Sequence, residues 1–197
     1  MSSDNREFSL PRRVWNLIHR SSSSLAIIDP QFRRQPSRYF VQGGLATIGM
    51  FAVLLFVDSF SDAALVAALG ASVVIIFVHP TSKLGAPRAL VGGHLLGLLI
   101  GSVFSLILFA PPVNAFLEGV QVLRDLALAA SVGAVIVLMA ITDTEHPPAG
   151  GTVLGMSTRV FDPSIFAIII GAVIVLAVTK RVLRKYLREI FARLDIN

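Results

Sequence analysis

Arg88-Ala-Leu-Val-Gly-Gly-His-Leu-Leu-Gly-Leu-Leu-Ile-Gly-Ser-Val-Phe-Ser-Leu-Ile-Leu-Phe-Ala110 is the stretch that decides the fold class. A helix that crosses the hydrocarbon core, about 30 Å thick, needs roughly 20 consecutive apolar residues. This stretch meets that length, and past Arg88 its only ionisable side chain is His94. Ala89, Gly93, Gly97, Gly101 and Ser105 recur at four-residue intervals, so they line one face of the helix. Such a face lets another backbone approach closely, which is how helices pack in a bilayer. The partner helix can belong to the same chain or to a second copy, so a homo-oligomer stays open. The stripe specifies a helix contact and says nothing of a substrate.

Working outward, further apolar segments lie at about 40–57, 62–79, 122–141, 147–160 and 163–183. The last is comfortably long enough to cross a bilayer. Segments 40–57, 62–79 and 122–141 meet the length marginally. Pro147–Val160 is too short and too glycine-rich for an ordinary span, so it reads as a re-entrant helix or one part of a broken span. The chain is 54% hydrophobic and 15% charged, with a mean hydropathy of +0.76. Soluble domains carry about a quarter charged residues, and this chain lacks the polar side chains that a water-facing surface of its size needs. The fold class expected is an all-α, polytopic transmembrane helix bundle in contact with a lipid bilayer.

Three regions follow from the pattern: a basic polar segment over 1–38, a transmembrane domain over 39–184 and a basic tail over 185–197. Within the first, Pro11–Arg20 forms either an interfacial amphipathic helix, with Val14, Trp15, Leu17 and Ile18 on its apolar side, or part of a disordered tail. The first strongly apolar run starts near Val41, after polar sequence, and reads as a retained span rather than a secretory signal. The net charge is +5, yet basic residues concentrate at the two ends, which points to a membrane surface and not to nucleic acid. With no cysteine, disulfides, thiolate metal sites and cysteine nucleophiles are excluded. No histidine pair has ligand spacing on one helix face, so no metal is expected. No phosphate loop, nucleophile elbow or catalytic triad is present, so neither a cofactor nor an enzyme is expected.

Charge also orients the chain. Arg33, Arg34 and Arg38 flank the first apolar segment, and Lys180, Arg181, Arg184, Lys185 and Arg188 flank the last. Positive flanks stay in the cytoplasm, which predicts both termini inside, in the plasma membrane. Lys83 and Arg88 place the loop after 62–79 inside, while Asp58, Asp62 and Glu118 place two other loops outside. Six crossings satisfy this pattern. Four, with 62–79 and 147–160 re-entrant, is the rival.

The two halves of the chain are weakly alike. Val66–Val74 reads VAALGASVV and His146–Leu154 reads HPPAGGTVL, which sets Gly70 opposite Gly150, Ser72 opposite Thr152 and Val73 opposite Val153. With three crossings in each half, the halves form an inverted repeat with a short or broken helix in each, an architecture in which transporters bind substrate near the midplane.

Ile141-Thr-Asp-Thr-Glu-His-Pro-Pro-Ala-Gly-Gly-Thr152 holds the richest chemistry. Proline is preferred at the first position of a helix, so Pro147 and Pro148 predict a helix start. The N–H groups of Ala149 and Gly150 then suit an anion; equally, two prolines make a helix start cheap to bury with no ligand. Asp143, Glu145 and His146 beside it are proton-relay candidates, or are merely hydrated at the interface. His94 is expected to be a neutral imidazole bonded to another helix, and His79 a boundary residue.

The stretch His146-Pro147-Pro148-Ala149-Gly150 resembles the signature of the HPP family of integral membrane proteins. Gly70-Ala71-Ser72 and Pro87-Arg88-Ala89-Leu90-Val91-Gly92-Gly93-His94 resemble that family's pattern in the same order, and the likeness covers about residues 40–180. Gly151 stands where the family pattern has alanine. The family is usually described with four spans, and its plant members include chloroplast nitrite transporters. The resemblance implies transport of a small inorganic anion, with nitrite a candidate. In that reading Ala149, Gly150, Gly151 and Thr152 line one side of a substrate site, with Pro147 and Pro148 at its helix start. Gly70, Ala71 and Ser72 line the other side, and Arg88, His94 or His146 supplies charge or a proton. A non-transporting assembly or sensory module, working through residues 1–38, is the alternative. A membrane enzyme is the weakest reading.

Overall fold

The computed structural model describes residues 30–55 and 63–187. The Pro11–Arg20 helix, the Asp58–Asp62 loop and Arg188 lie outside the described residues. The described residues fall into two compact units, one ending at Phe40 and the other beginning at Val41. In the first, α1 (Pro30–Arg34) precedes the start of α2 (Pro36–Leu54). There Arg38 donates to the Gln35 side chain at 2.6 Å, and the Phe32 and Tyr39 rings meet edge-on.

In the second unit every regular element described is helical. After α2 come α3 (Ala63–Val78), a 3-10 turn (Lys83–Gly85) and α4 (Pro87–Leu108). Then follow α5 (Pro111–Leu117), α6 (Gln121–Thr142), α7 (Ala149–Ser157) and α8 (Pro163–Leu183). Proline at the first turn, where an N–H has no partner anyway, starts α4, α5 and α8. The Asp162 carboxylate caps α8 by accepting from the Ser164 N–H at 2.8 Å. Asp143 ends α6 in the left-handed region (φ 55°), a conformation aspartate tolerates better than most residues.

Among the described residues three helices are long and apolar enough to cross a membrane: Pro87–Leu108, Gln121–Thr142 and Pro163–Leu183. The chain is an integral membrane protein. Contacts along the helices fix their relative directions. A Cβ built on Gly93, Gly97 or Gly101 would meet, in turn, His146, Ala149 with Thr152, and Met156 with Val153. Ser105 donates to the Arg159 carbonyl at 2.6 Å. Residues 144–159 therefore run beside α4 in the same direction. Gly151 lies against Ala68 and Gly155 against Leu65, so α3 and α7 are antiparallel. Arg88 at the start of α4 donates to the Thr142 carbonyl at the end of α6, and Lys180 near the end of α8 donates to the Gly85 carbonyl. Gln42 of α2 donates to the Phe77 carbonyl at the end of α3, and Met50 approaches Gly70. Thus α2, α3, α4, α6, the 144–159 segment and α8 alternate in direction.

The prolines of the short segment are placed differently from the sequence expectation. Helix α7 begins at Ala149, and Pro147 and Pro148 form the turn just before it. Nine residues of helix cover about 14 Å at 1.5 Å per residue, and the non-helical chain from Thr144 extends the segment along α4. The main core gathers Leu65, Leu69 and Ile76 of α3, Leu90 and Leu98 of α4, and Ile169, Val173 and Leu176 of α8. Helix α6 is the least enclosed: Ser131, Val135 and Met139 form its buried stripe, while Leu126, Val137 and Ile141 stand more than half exposed, as lipid-facing residues do.

A buried histidine cluster beside a basic cleft

Ser72, His94, His146 and Thr152 come from α3, α4, the α6–α7 connection and α7, and all four have no exposed surface. The small-residue face of α4 is the reason they meet. With no side chain at Gly93 the chain at His146 settles directly on α4, where even one added methyl group would lie 2.6 Å from the His146 Cβ. Gly97, one turn on, admits Thr152 in the same way.

The Ser72 hydroxyl oxygen lies 2.8 Å from His94 Nε2 and 2.8 Å from His146 Nε2. His94 Nδ1 is 2.7 Å from the Thr152 hydroxyl, and His146 Nδ1 is 2.7 Å from the Leu84 carbonyl. The imidazole centroids are 4.9 Å apart. A carbonyl only accepts, so His146 carries its proton on Nδ1. Its Nε2, when neutral, must accept, and the proton it accepts is that of Ser72. Ser72 has a single proton, so His94 Nε2 must donate to Ser72, and His94 Nδ1 accepts from Thr152. One neutral assignment satisfies every atom: Thr152 to His94, His94 to Ser72, Ser72 to His146, His146 to Leu84. The two neutral histidines are in opposite tautomers.

The other sequence candidates lie apart from this cluster. Ala71 is exposed and Gly70 faces Met50 of α2. The N–H groups of Ala149 and Gly150, which the sequence offers to an anion, donate to the carbonyls of His146 and Pro147 at 2.9 and 3.0 Å. Pro148 and Ala149 are buried and Pro147 is exposed. Gly151 marks the crossing of α7 with α3. Asp143 and Glu145 are exposed. Arg88 stands 3.9 Å from Asp143 in an ion pair whose side chains are 69% and 91% exposed, a geometry of little energetic weight. Among the described residues no group of three or more ligand-type side chains suits a metal ion.

A cleft of about 590 Å³ lies between the 3-10 turn and the end of α8, lined by Lys83, Lys180, Arg181 and Arg184 with Thr81 and Ser82, and by no acidic residue. The turn that borders the cleft also bonds to the cluster. Lys180 Nζ donates to the Gly85 carbonyl at 2.5 Å, and the adjacent Leu84 carbonyl holds His146. In the sequence these cations read only as topological flanks. The missed signal was Lys180, which lies within the apolar run of α8 and is only partly exposed.

A family model described as "HPP, transmembrane region" matches residues 31–187. Two curated proteins of Dictyostelium discoideum, each described only as a transmembrane protein, are similar to this chain. Each is 38% identical over 90 residues, 46% of this chain. The matched stretch covers 28% and 26% of their own lengths. No solved structure matches. The matched region takes in the described helices of the bundle, the cluster and the cleft, and the chain belongs to the HPP transmembrane family.

Proposed function

We propose that this protein is a transporter or channel for a small inorganic anion, with nitrite the first candidate. The observation that carries the reading is the cleft in which Lys83, Lys180, Arg181 and Arg184 converge without a carboxylate. Cations grouped in one concave site attract an anion more than the same cations spread over a surface do. The turn Lys83–Gly85 links the two sites: its Gly85 carbonyl accepts from Lys180 of the cleft and its Leu84 carbonyl accepts from His146 of the cluster. The basic end then faces the cytoplasm of the plasma membrane, with both termini on that side. An inverted relation between the halves fits as well: Ser72 and Thr152, opposite each other in the repeat, bond the two ring nitrogens of one histidine, and their helices are antiparallel. Transport rather than catalysis suits a cluster whose polar atoms are occupied with one another. Nitrite flux into liposomes holding the full chain tests the proposal. Saturable uptake is expected; its absence in a preparation shown to be folded overturns it.

One observation favours the second reading, a membrane module that transports nothing. Gly93, Gly97 and Gly101 are filled by the 144–156 segment, so the small-residue face serves packing. Deleting residues 1–38 discriminates. Flux should largely survive under the first reading, and the biological role should vanish with flux never seen under the second.

A further inference from the structure

The neutral hydrogen-bond chain has a property that packing does not require: it accepts one more proton without moving a heavy atom. If a proton arrives on His94 Nδ1, the Thr152 hydroxyl turns to accept from it, and every other bond stays as it was. The charge then moves across Ser72. The His94 Nε2–H bond breaks as that proton joins the Ser72 oxygen, and the original Ser72 proton leaves to form an N–H bond at His146 Nε2. Both transfers occur across gaps of 2.8 Å. His94 ends neutral with its proton on Nδ1, and His146 ends as an imidazolium held by Ser72 and by the Leu84 carbonyl. Protons and bonds balance at each step. The Ala68 carbonyl, 3.0 Å from the Ser72 oxygen, offers the hydroxyl a resting acceptor when both imidazoles donate to it.

We propose that Thr152, His94, Ser72 and His146 form a relay for a single proton that ends beside the basic cleft, and that this proton is the ion coupled to anion movement. The first part stands on geometry alone; the second rests on the anion-transport reading. The groups facing the relay set its behaviour. Helices α3 and α7 contribute no ionisable side chain. Helix α4 contributes His94 itself, and Arg88 at its exposed start. Lys83 belongs to the turn, Asp143 and Glu145 to the exposed part of the α6–α7 connection, and Arg124 and Asp125 to the far end of α6. From the end of α8, Lys180 holds the Gly85 carbonyl next to the Leu84 carbonyl that holds His146, with Arg181 and Arg184 beside it in the cleft, so a positive charge on His146 meets like charges there. An anion seated in the cleft against Lys180 offsets that repulsion, so it favours the proton on His146. Linkage then requires the proton to favour the anion by the same factor. The anion and the proton therefore arrive together.

Nitrogen-15 NMR of labelled full-length chain in lipid nanodiscs tests this. At alkaline pH His94 is expected protonated on Nε2 and His146 on Nδ1. Acidification should add one proton to the pair, and sodium nitrite should increase its occupancy, an increase lost in Lys180→Gln. In Ser72→Ala the two histidines should titrate independently, and in Ser72→Thr, which restores the hydroxyl, they should again share one proton. Identical tautomers, or two protons taken up by the wild-type pair, overturn the relay. Saturable nitrite flux accompanied by either result leaves transport standing without it. The opposite-tautomer pattern with no response to nitrite overturns the coupling.

Discussion

Thr152 shows how much a single side chain carries here. Its hydroxyl is fully buried and bonds His94 Nδ1. Thr152→Val keeps the shape and removes the donor, leaving a buried ring nitrogen without a partner. The expected loss of stability is about 1–3 kcal/mol, with Thr152→Ser close to wild type, read from unfolding in detergent. At this scale the sequence was informative about chemical identity and less so about position. Ser72, His94, His146 and Thr152 all stood out from their types and settings, because polar groups inside apolar runs must find partners. Their mutual bonding was not legible, since it depends on a four-way meeting of separate elements. The N–H groups of Ala149 and Gly150 were misleading for the converse reason: a tight turn through Pro147 and Pro148 satisfies them locally.

The four-residue stripe on α4 was readable as a helix-contact face, but its partner was not, because spacing specifies a surface and not what covers it. The structure sets the short segment 144–159 there. A methyl group on Gly101 would come within 2.5 Å of the Met156 Cβ and 2.8 Å of the Val153 carbonyl. Gly101→Ala should therefore destabilise by about 1–3 kcal/mol through overpacking. Gly133 on α6 has nothing within 4 Å of such a group. Gly133→Ala should be neutral or stabilising by up to about 1 kcal/mol, since alanine favours helix over glycine. The fraction of each variant that stays monodisperse after heating distinguishes these outcomes. The proline pair marked the start of α7 to within two residues. The difference arises because Pro147 and Pro148 satisfy a turn as readily as a first helical position.

For the whole molecule, composition alone pointed to a membrane bundle, because a chain with 15% charged residues has too little to face water with. Loop charges predict six alternating crossings; in the structure six segments alternate in direction, and three helices among the described residues are long and apolar enough to cross a membrane. What loop charges hid was the cleft: Lys83, Lys180, Arg181 and Arg184 lie far apart in sequence and converge only when α8 packs beside the turn that precedes α4. The most direct measurement of the central claim is the initial rate of nitrite entry into liposomes at several concentrations. Wild type is to be compared with Lys180→Gln and with the Lys180→Gln, Arg184→Gln pair, all of verified fold. Entry should be saturable in wild type and slower by at least about tenfold, roughly 1.4 kcal/mol, in the double variant. Equal rates in wild type and variant, or entry no faster than through empty liposomes, would contradict it.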